Sequence, residues 1–278
     1  MTGVPQIFSR KKLAAHRTRA GQIFHEHDFL MDLAAERLVD RLLDFNQRFG
    51  RILIIGAQGH LIKKHLSKLG YTPEIVLEMD IFAADSDAII DPEALPIKPQ
   101  SFDAVLSHFI LPFVNDVPGA LIQWRQALVP DGVLLATTLG AQTLEGFRDL
   151  LIQAELEVYG GVSQRIGPFM EMQDLAGLLQ RGGFSLPVID QDIIRVEYRH
   201  LDRLISDLRG MGWTSCLTEG GRVFTKALHK KINWKQSLEA AFEVLNITAR
   251  APSIHQQKPA QRGSGETSLA NHLKDDNV

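Results

Sequence analysis

The sequence has a single cysteine, Cys216, among its 278 residues. One thiol excludes a disulfide within the chain and any zinc site built from several cysteines. We therefore expect a reducing compartment, with Cys216 as an ordinary semi-buried side chain. No apolar run approaches the roughly 20 residues that a membrane-spanning helix needs, so the sequence predicts no membrane span.

The sequence also lacks a strong excess of either charge. The formal net charge is −3 and the isoelectric point is near 6.4. Nothing in this balance favours nucleic acid or a membrane surface as a partner. The composition, 45% hydrophobic and 23% charged, is that of an ordinary globular protein. The length suits one large domain with additions, and the oligomeric state stays open.

The N-terminal arm is basic, because five cationic residues precede the first acid, Glu26: Arg10, Lys11, Lys12, Arg17 and Arg19. Such a segment is compatible with a mitochondrial transit peptide. A helix before the first strand is also a common cap on α/β folds, so we expect a bacterial cytoplasmic protein, with the mitochondrial matrix as the alternative. We interpret the arm as a solvated face, with partner docking or capping of the cleft as alternatives.

A short apolar run, Ile52–Ile55, leads into a turn that contains Gly56 and Gly59. An amphipathic segment at 61–69 follows. A buried strand, a tight turn and a helix form the unit that binds nucleotide-like ligands at the edge of an α/β sheet. Dinucleotide enzymes have three glycines here, however, so the motif alone fits an ordinary strand-to-helix turn equally well.

The hydrophobic periodicity of the rest of the chain alternates between strand and helix. Predicted strands lie at 52–55, 74–79, 88–90, 102–109, 133–139, 186–189, 193–198 and 242–249. Predicted helices lie at 28–49, 117–128, 143–158, 172–181, 201–211 and 234–241. The alternation indicates an α/β fold with a doubly wound parallel sheet, and the late strand indicates an antiparallel hairpin that completes it. This pattern resembles the Rossmann-like class I methyltransferases, which have seven strands in the order 3-2-1-4-5-7-6.

The predicted elements divide the chain into three parts. Residues 1–50 form the basic arm and cap helices, and residues 51–250 form the methyltransferase-like domain. Residues 251–278 are polar, and we expect them to be mostly disordered, because they bury too little apolar surface to offset the entropy of ordering.

Polar residues follow neighbouring predicted strands, where a cofactor would be held. An acid after the second strand binds ribose hydroxyls, and we favour Asp80 over Glu78 because it follows the apolar run. Asp91, after the third strand, would meet an adenine amine, although Asp before Pro is also a common turn. The candidate cofactor-binding residues are Gly56, Ala57, Gly59, Asp80, Asp91 and Ser107.

Two histidine-bearing segments have ordinary structural interpretations. His108 would face the same cleft as Ser107, but we interpret it as a strand-end histidine with its bonds satisfied rather than as a catalytic group. The segment from His25 to Asp28 looks like a metal-binding tract, yet we interpret it as a solvated face and predict no metal site. No catalytic residue is assigned.

Eight segments together resemble one known family: Ile7–Arg10, Glu26–Leu30, Val114–Leu121, Pro130–Gly132, Gly160–Arg165, Leu179–Phe184, Asp207–Gly212 and Gln256–Pro259. They are similar to the methyltransferase-like family of mitochondrial complex I assembly factors and their alphaproteobacterial relatives. The match runs in order from about residue 7 to 260. The malonyl carrier-protein methyltransferases of biotin synthesis are the nearest relatives outside that family.

The resemblance implies a class I fold that binds S-adenosylmethionine and acts on a protein acceptor, a complex I subunit being one candidate. The mitochondrial member is associated with hydroxylation of an arginine on such a subunit. This sequence departs from the family pattern, because Ile54 replaces an acid, His60 replaces the third glycine, and Leu111–Phe113 replaces Leu-His-Trp. We expect an S-adenosylmethionine-dependent methyltransferase, with an assembly factor without turnover or an arginine hydroxylase of a complex I subunit as the alternatives.

Overall fold

One seven-stranded sheet organises the computed structural model, which describes residues 4–82, 86–219, 223–232, 238–256 and 263. The strands are β1 (Arg51–Ile55), β2 (Ile75–Asp80), β3 (Ala88–Ile89), β4 (Phe102–His108), β5 (Leu128–Leu139), β6 (Ser185–Tyr198) and β7 (Leu238–Arg250). Their order is β3-β2-β1-β4-β5-β7-β6. The first five are parallel, and β7 runs antiparallel to β5 and β6. The predicted fold class and strand order are confirmed.

Eight α-helices accompany the sheet in the described residues: α1 (Arg10–Ala20), α2 (Phe29–Leu43), α3 (Leu61–Lys68), α4 (Val117–Ala127), α5 (Glu145–Tyr159), α6 (Met172–Arg181), α7 (Leu201–Gly210) and α8 (Lys226–Lys231). α1 begins after Ser9, whose hydroxyl accepts a hydrogen bond from the backbone N–H of Lys12. α2 ends six residues earlier than predicted. Phe49 instead packs in the core, and its N–H donates to the Tyr71 hydroxyl.

The C-terminal hairpin corrects two predictions. β6 is continuous where two strands were predicted, because it pairs with β7 without interruption from Val188 to Tyr198. β7 begins at Leu238, so the predicted helix is wrong for 238–241. Cross-strand pairing there overrides the helical preference of Ala240 and Ala241. Residues 233–237 and most of the tail that was predicted to be disordered lie outside the described residues.

The central strands are buried on both faces, as expected of a parallel sheet covered by helices. In β1, Ile52 and Ile54 face one apolar core, whereas Leu53 and Ile55 face the other. The strand order reverses between β1 and β4, and the carboxyl ends of these strands border the crevice where such sheets bind ligands. None of the helices in the described ranges is both long and apolar enough to cross a bilayer.

Candidate ligand site at the carboxyl edge of the sheet

The turn after β1 is shaped by contacts within the chain. Gly56 has φ +92°, and a Cβ at this position would overlap the carbonyl oxygen of His108 at the end of β4. Gly59 has φ +69°, and a Cβ there would overlap the ring of Phe24. Both glycines are therefore required by packing, whether or not a ligand approaches the turn.

Asp80, the predicted ribose acid, is the last residue of β2 and is completely buried. Arg17 of α1 donates from Nη1 to both carboxylate oxygens, at 2.7 and 2.8 Å. The backbone N–H of Ile81 donates to Oδ1 at 2.6 Å, and the backbone of Ala57 also bonds this carboxylate. The Asp80 carboxylate is thus placed at the predicted edge, with a guanidinium already bound to it.

Asp91, the predicted adenine acid, is also paired with α1. The guanidinium of Arg10 bonds the Asp91 carboxylate and reaches Oε2 of Glu93 at 2.7 Å. The N–H of Glu93 donates to Asp91 at 2.9 Å, so the turn interpretation of Asp91 holds as well. Burial opposes ionisation of Glu93, but the bonds from Arg10 and the Asn115 backbone outweigh burial and lower the pKa of Glu93.

The alternative ribose acid, Glu78, is held by the turn itself. His60 has a left-handed backbone, with φ 50°, and its Nδ1 lies 2.7 Å from Oε2 of the buried Glu78. Lys63 lies 3.4 Å from the same oxygen. The histidine that replaces the family's third glycine is therefore hydrogen-bonded to Glu78.

Other predicted positions lie close by. Ala57 is buried in the turn, and Ser107 is paired in register with Ile55. The Ser107 hydroxyl is buried and has no hydrogen-bond partner among the residues that the structure describes. Ile54, where the family has an acid, is fully buried in the apolar core. Gly56, Ala57, Gly59, Asp80, Asp91 and Ser107 thus follow or end adjacent parallel strands.

The polar groups of this edge fit part of what S-adenosylmethionine needs. Carboxylates stand at the end of β2 and after β3, where ribose hydroxyls and an adenine amine require acceptors. Ser107 adds a buried hydroxyl without a partner in the described residues. Position 54 offers no carboxylate for the methionine amino group.

His108 is a buried strand-end histidine, as predicted, but its bonds are only partly satisfied, because Nε2 has no hydrogen-bond partner among the described residues. Its Nδ1 lies 2.9 Å from the hydroxyl of Thr137 on β5. Complete burial lowers the pKa of His108 from 6.5 to about 3, because the imidazolium would lose its hydration. The imidazole is therefore neutral at physiological pH.

We expect His108 to make folding sensitive to acid. Below pH 6.5 the unfolded chain protonates this imidazole while the native chain does not, so stability falls as the pH drops from 6.5 towards 3. The group alone would remove up to about 1.4 kcal/mol per pH unit in that window. Urea unfolding between pH 7 and pH 4 measures this slope. His108→Gln should flatten it, and an unchanged slope would contradict the assignment.

The histidine tract before α2 divides between two environments. His25 is exposed and lies 3.4 Å from Asp28. His27 is buried, and its Nδ1 lies 2.7 Å from the Asp207 carboxylate on α7. The interpretation as a solvated face is thus correct for His25 and wrong for His27, which attaches the N-terminal segment to α7.

An apolar cavity of about 220 Å³ lies beside the carboxyl edge. Its aromatic walls come from the N-terminal segment, the segment after β4, α5 and the chain after α7: Phe8, Phe113, Phe147 and Trp213. Arg165 also lines it and is paired with Glu155 at 2.6 Å. The cavity has the aromatic character of a substrate pocket.

The interpretation of the basic arm as a solvated face is wrong for Arg17, which is fully buried against Asp80, and the alternative of a cap fits it instead. Sequence reasoning gave Phe24, which packs against the turn at Gly59, no role. Arg17 follows Leu13 by four positions and precedes Ala20 by three, and all three side chains are buried. That spacing places Arg17 on the apolar stripe of α1, which is the signal that was available. An arginine on such a stripe requires a carboxylate partner.

The chain is similar to known proteins of one kind. Residues 70–136 match the family described as Methyltransferase domain. The chain is 32% identical over 272 residues to the mitochondrial arginine-hydroxylase NDUFAF5 of Danio rerio, covering 90% of this chain and 83% of that protein. It is 29% identical over 180 residues to the malonyl-[acyl-carrier protein] O-methyltransferase of Gallionella capsiferriformans. This match covers 62% of this chain and 58% of that protein.

Solved structures support the fold. A chain described as a methyltransferase from Bacillus halodurans C-125 superposes with a TM-score of 0.50 at 12% identity. The superposition covers 78% of this chain and 99% of that chain. At that identity the likeness concerns the fold alone.

Proposed function

This chain belongs to the methyltransferase-like family of mitochondrial complex I assembly factors, and from that premise we propose that it binds S-adenosylmethionine and modifies a protein acceptor. The observation that supports the proposal is the position of Asp80 and Asp91 at the carboxyl edge of the sheet, in a chain that also has an aromatic cavity at this edge. The fold is that of S-adenosylmethionine-dependent methyltransferases, and binding by this chain is the proposed step.

The proposed roles follow from the hydrogen-bonding groups that each residue offers. Asp80 would accept from the ribose hydroxyls and Asp91 from the adenine amine, while the turn at Gly56–Gly59 would approach the methionine part. Ser107 would add a hydroxyl. The bound cofactor supplies an electrophilic methyl group on its sulfonium. The protein's part is to position the acceptor in line with it.

The proposed acceptor is an arginine-bearing subunit of respiratory complex I, which enters from the side of the aromatic cavity. The name of the Danio rerio relative, arginine-hydroxylase, supports an arginine as the modified side chain. We propose the bacterial cytoplasm as the compartment, consistent with the lone, buried thiol of Cys216. The catalytic unit of this proposal is the domain at 51–250, with residues 1–50 as its cap.

A second candidate is an assembly factor that uses the same fold without turnover. Ile54 favours this second candidate. Its side chain packs in the apolar core, so the position lacks the carboxylate that the family uses to hold the methionine amino group. The two candidates make opposite predictions about ligand binding.

Calorimetric titration with S-adenosylhomocysteine separates the candidates. We expect binding to the wild-type protein and about tenfold weaker binding to Asp91→Ala, which loses an acceptor for the adenine amine. Arg10 retains Glu93 as a partner in that variant, so α1 stays attached.

The matched control is Asp103→Ala. Asp103 also bonds an arginine, Arg51, and backbone N–H groups, but it lies at the opposite end of β4. Its loss should leave the affinity unchanged once circular dichroism shows that both variants are folded. No heat from any of the three proteins at millimolar ligand would exclude the enzyme and favour the assembly factor.

A further inference from the structure

The helix α1 presents two arginines to the two acids of the proposed cofactor site. Arg10 and Arg17 are seven residues apart, which is about two helical turns, so they project from the same side of α1. Arg17 pairs with Asp80, and Arg10 pairs with Asp91. One helix therefore holds both carboxylates to which the ribose and adenine roles are assigned.

The Arg17 guanidinium is bound in a closed pocket by an ion pair, a hydrogen bond and an aromatic ring. Its side chain is completely buried, and Nη2 donates to the carbonyl oxygen of Phe109 at 3.2 Å. The guanidinium lies over the ring of Phe113, 5.9 Å from the centroid. A buried charge persists only where a counter-charge and hydrogen bonds replace its hydration, and this pocket supplies both.

The Asp80 carboxylate has no acceptor capacity left for a ribose. Its two oxygens offer about four lone-pair sites. Arg17 occupies two of them, and the backbones of Ile81 and Ala57 occupy the others. A diol can reach Asp80 only after the guanidinium of Arg17 has left.

The glycine turn is covered by the segment that follows α1. Phe24 is almost fully buried, and its ring lies where a side chain on Gly59 would be. The N-terminal segment thus covers the turn with Phe24, the ribose acid with Arg17 and the adenine acid with Arg10. These three contacts involve the turn and both acids of the proposed cofactor site.

We propose that α1 is an internal competitor of the cofactor, whose arginines occupy the cofactor's two carboxylates until the helix is released. The proposal rests on the proposed function, because it concerns the same site. Closed and open states of α1 are in equilibrium, and the observed cofactor affinity is the intrinsic affinity multiplied by the open fraction. Weakening the attachment of α1 must then strengthen ligand binding.

Arg10 is the position at which to test this competition. Its side chain is partly exposed, so Arg10→Gln removes the contacts with Asp91 and Glu93 without leaving a deeply buried charge. Arg19→Gln is the matched control. It makes the same charge change on the same helix, but the Arg19 guanidinium bonds the Ala15 carbonyl oxygen within α1.

The measurement is the dissociation constant of S-adenosylhomocysteine for the full-length wild type and both variants, by calorimetry. We expect Arg10→Gln to bind about three- to tenfold more tightly than the wild type, and Arg19→Gln to bind like the wild type. Equal affinities for Arg10→Gln and Arg19→Gln, with binding present, would overturn the competition and leave the proposed function intact. Absence of binding by all three proteins would overturn the proposed function and the competition with it.

Discussion

Arg17→Met should lower the free energy of unfolding by about 3 to 5 kcal/mol. The substitution keeps much of the apolar volume of the side chain but leaves the Asp80 carboxylate without its counter-charge in a site closed to solvent. The loss of one partner from a buried ion pair costs far more than the pair itself contributes. Urea unfolding at pH 7 measures the change.

Two further variants show whether the unpaired charge is the cause. Arg17→Met combined with Asp80→Asn removes both charges, while the amide oxygen can still accept from the Ile81 backbone, and should recover most of the lost stability. Arg19→Met, on the exposed side of α1, should change stability by less than about 0.5 kcal/mol. A single Arg17→Met variant as stable as the wild type would show that α1 is not docked on Asp80.

Gly56→Ala should destabilise the fold by about 3 kcal/mol or more. The residue has φ +92°, and an added methyl group would overlap the His108 carbonyl, which belongs to the rigid backbone of β4. Neither atom can move without disturbing the pairing of β1 with β4. Thermal unfolding followed by circular dichroism reports the effect.

Gly70→Ala is the matched control for the steric part of this prediction. Gly70 has φ +68°, but nothing lies within 4 Å of a Cβ at that position. Only the left-handed backbone then opposes the substitution, at a cost of about 1 to 2 kcal/mol. If the two variants are equally stable, close packing against His108 is not the reason for the glycine at position 56.

The strands and helices were largely predictable from local periodicity, whereas the sheet order came from the resemblance to class I methyltransferases. The buried strands β1 and β5 read as apolar runs bounded by turn residues, and helices separate the parallel strands. The late strand β7 predicted the antiparallel hairpin. Its start was missed because Ala240 and Ala241 favour a helix locally, whereas pairing with β6 decides their conformation.

The periodicity also placed each candidate ligand residue at the end of a strand. It did not predict which side chain binds that residue in the folded protein. Asp80 and Arg17 are 63 positions apart in sequence, and no local rule joins them. The two glycines were recognised from their spacing, yet the atoms that require them, in His108 and Phe24, depend on tertiary packing. The assignment of these residues to a cofactor stays a prediction.

Hydrogen exchange of the α1 backbone amides, with and without saturating S-adenosylhomocysteine, tests the central claim most directly. The claim is that the cofactor and α1 share the carboxylates of Asp80 and Asp91. Ligand should therefore accelerate exchange across Arg10–Ala20 while leaving exchange in α6, which carries none of the proposed ligand residues, unchanged. Slower or unchanged exchange in α1 at saturation would show that the helix stays in place over the bound ligand, and would contradict the account.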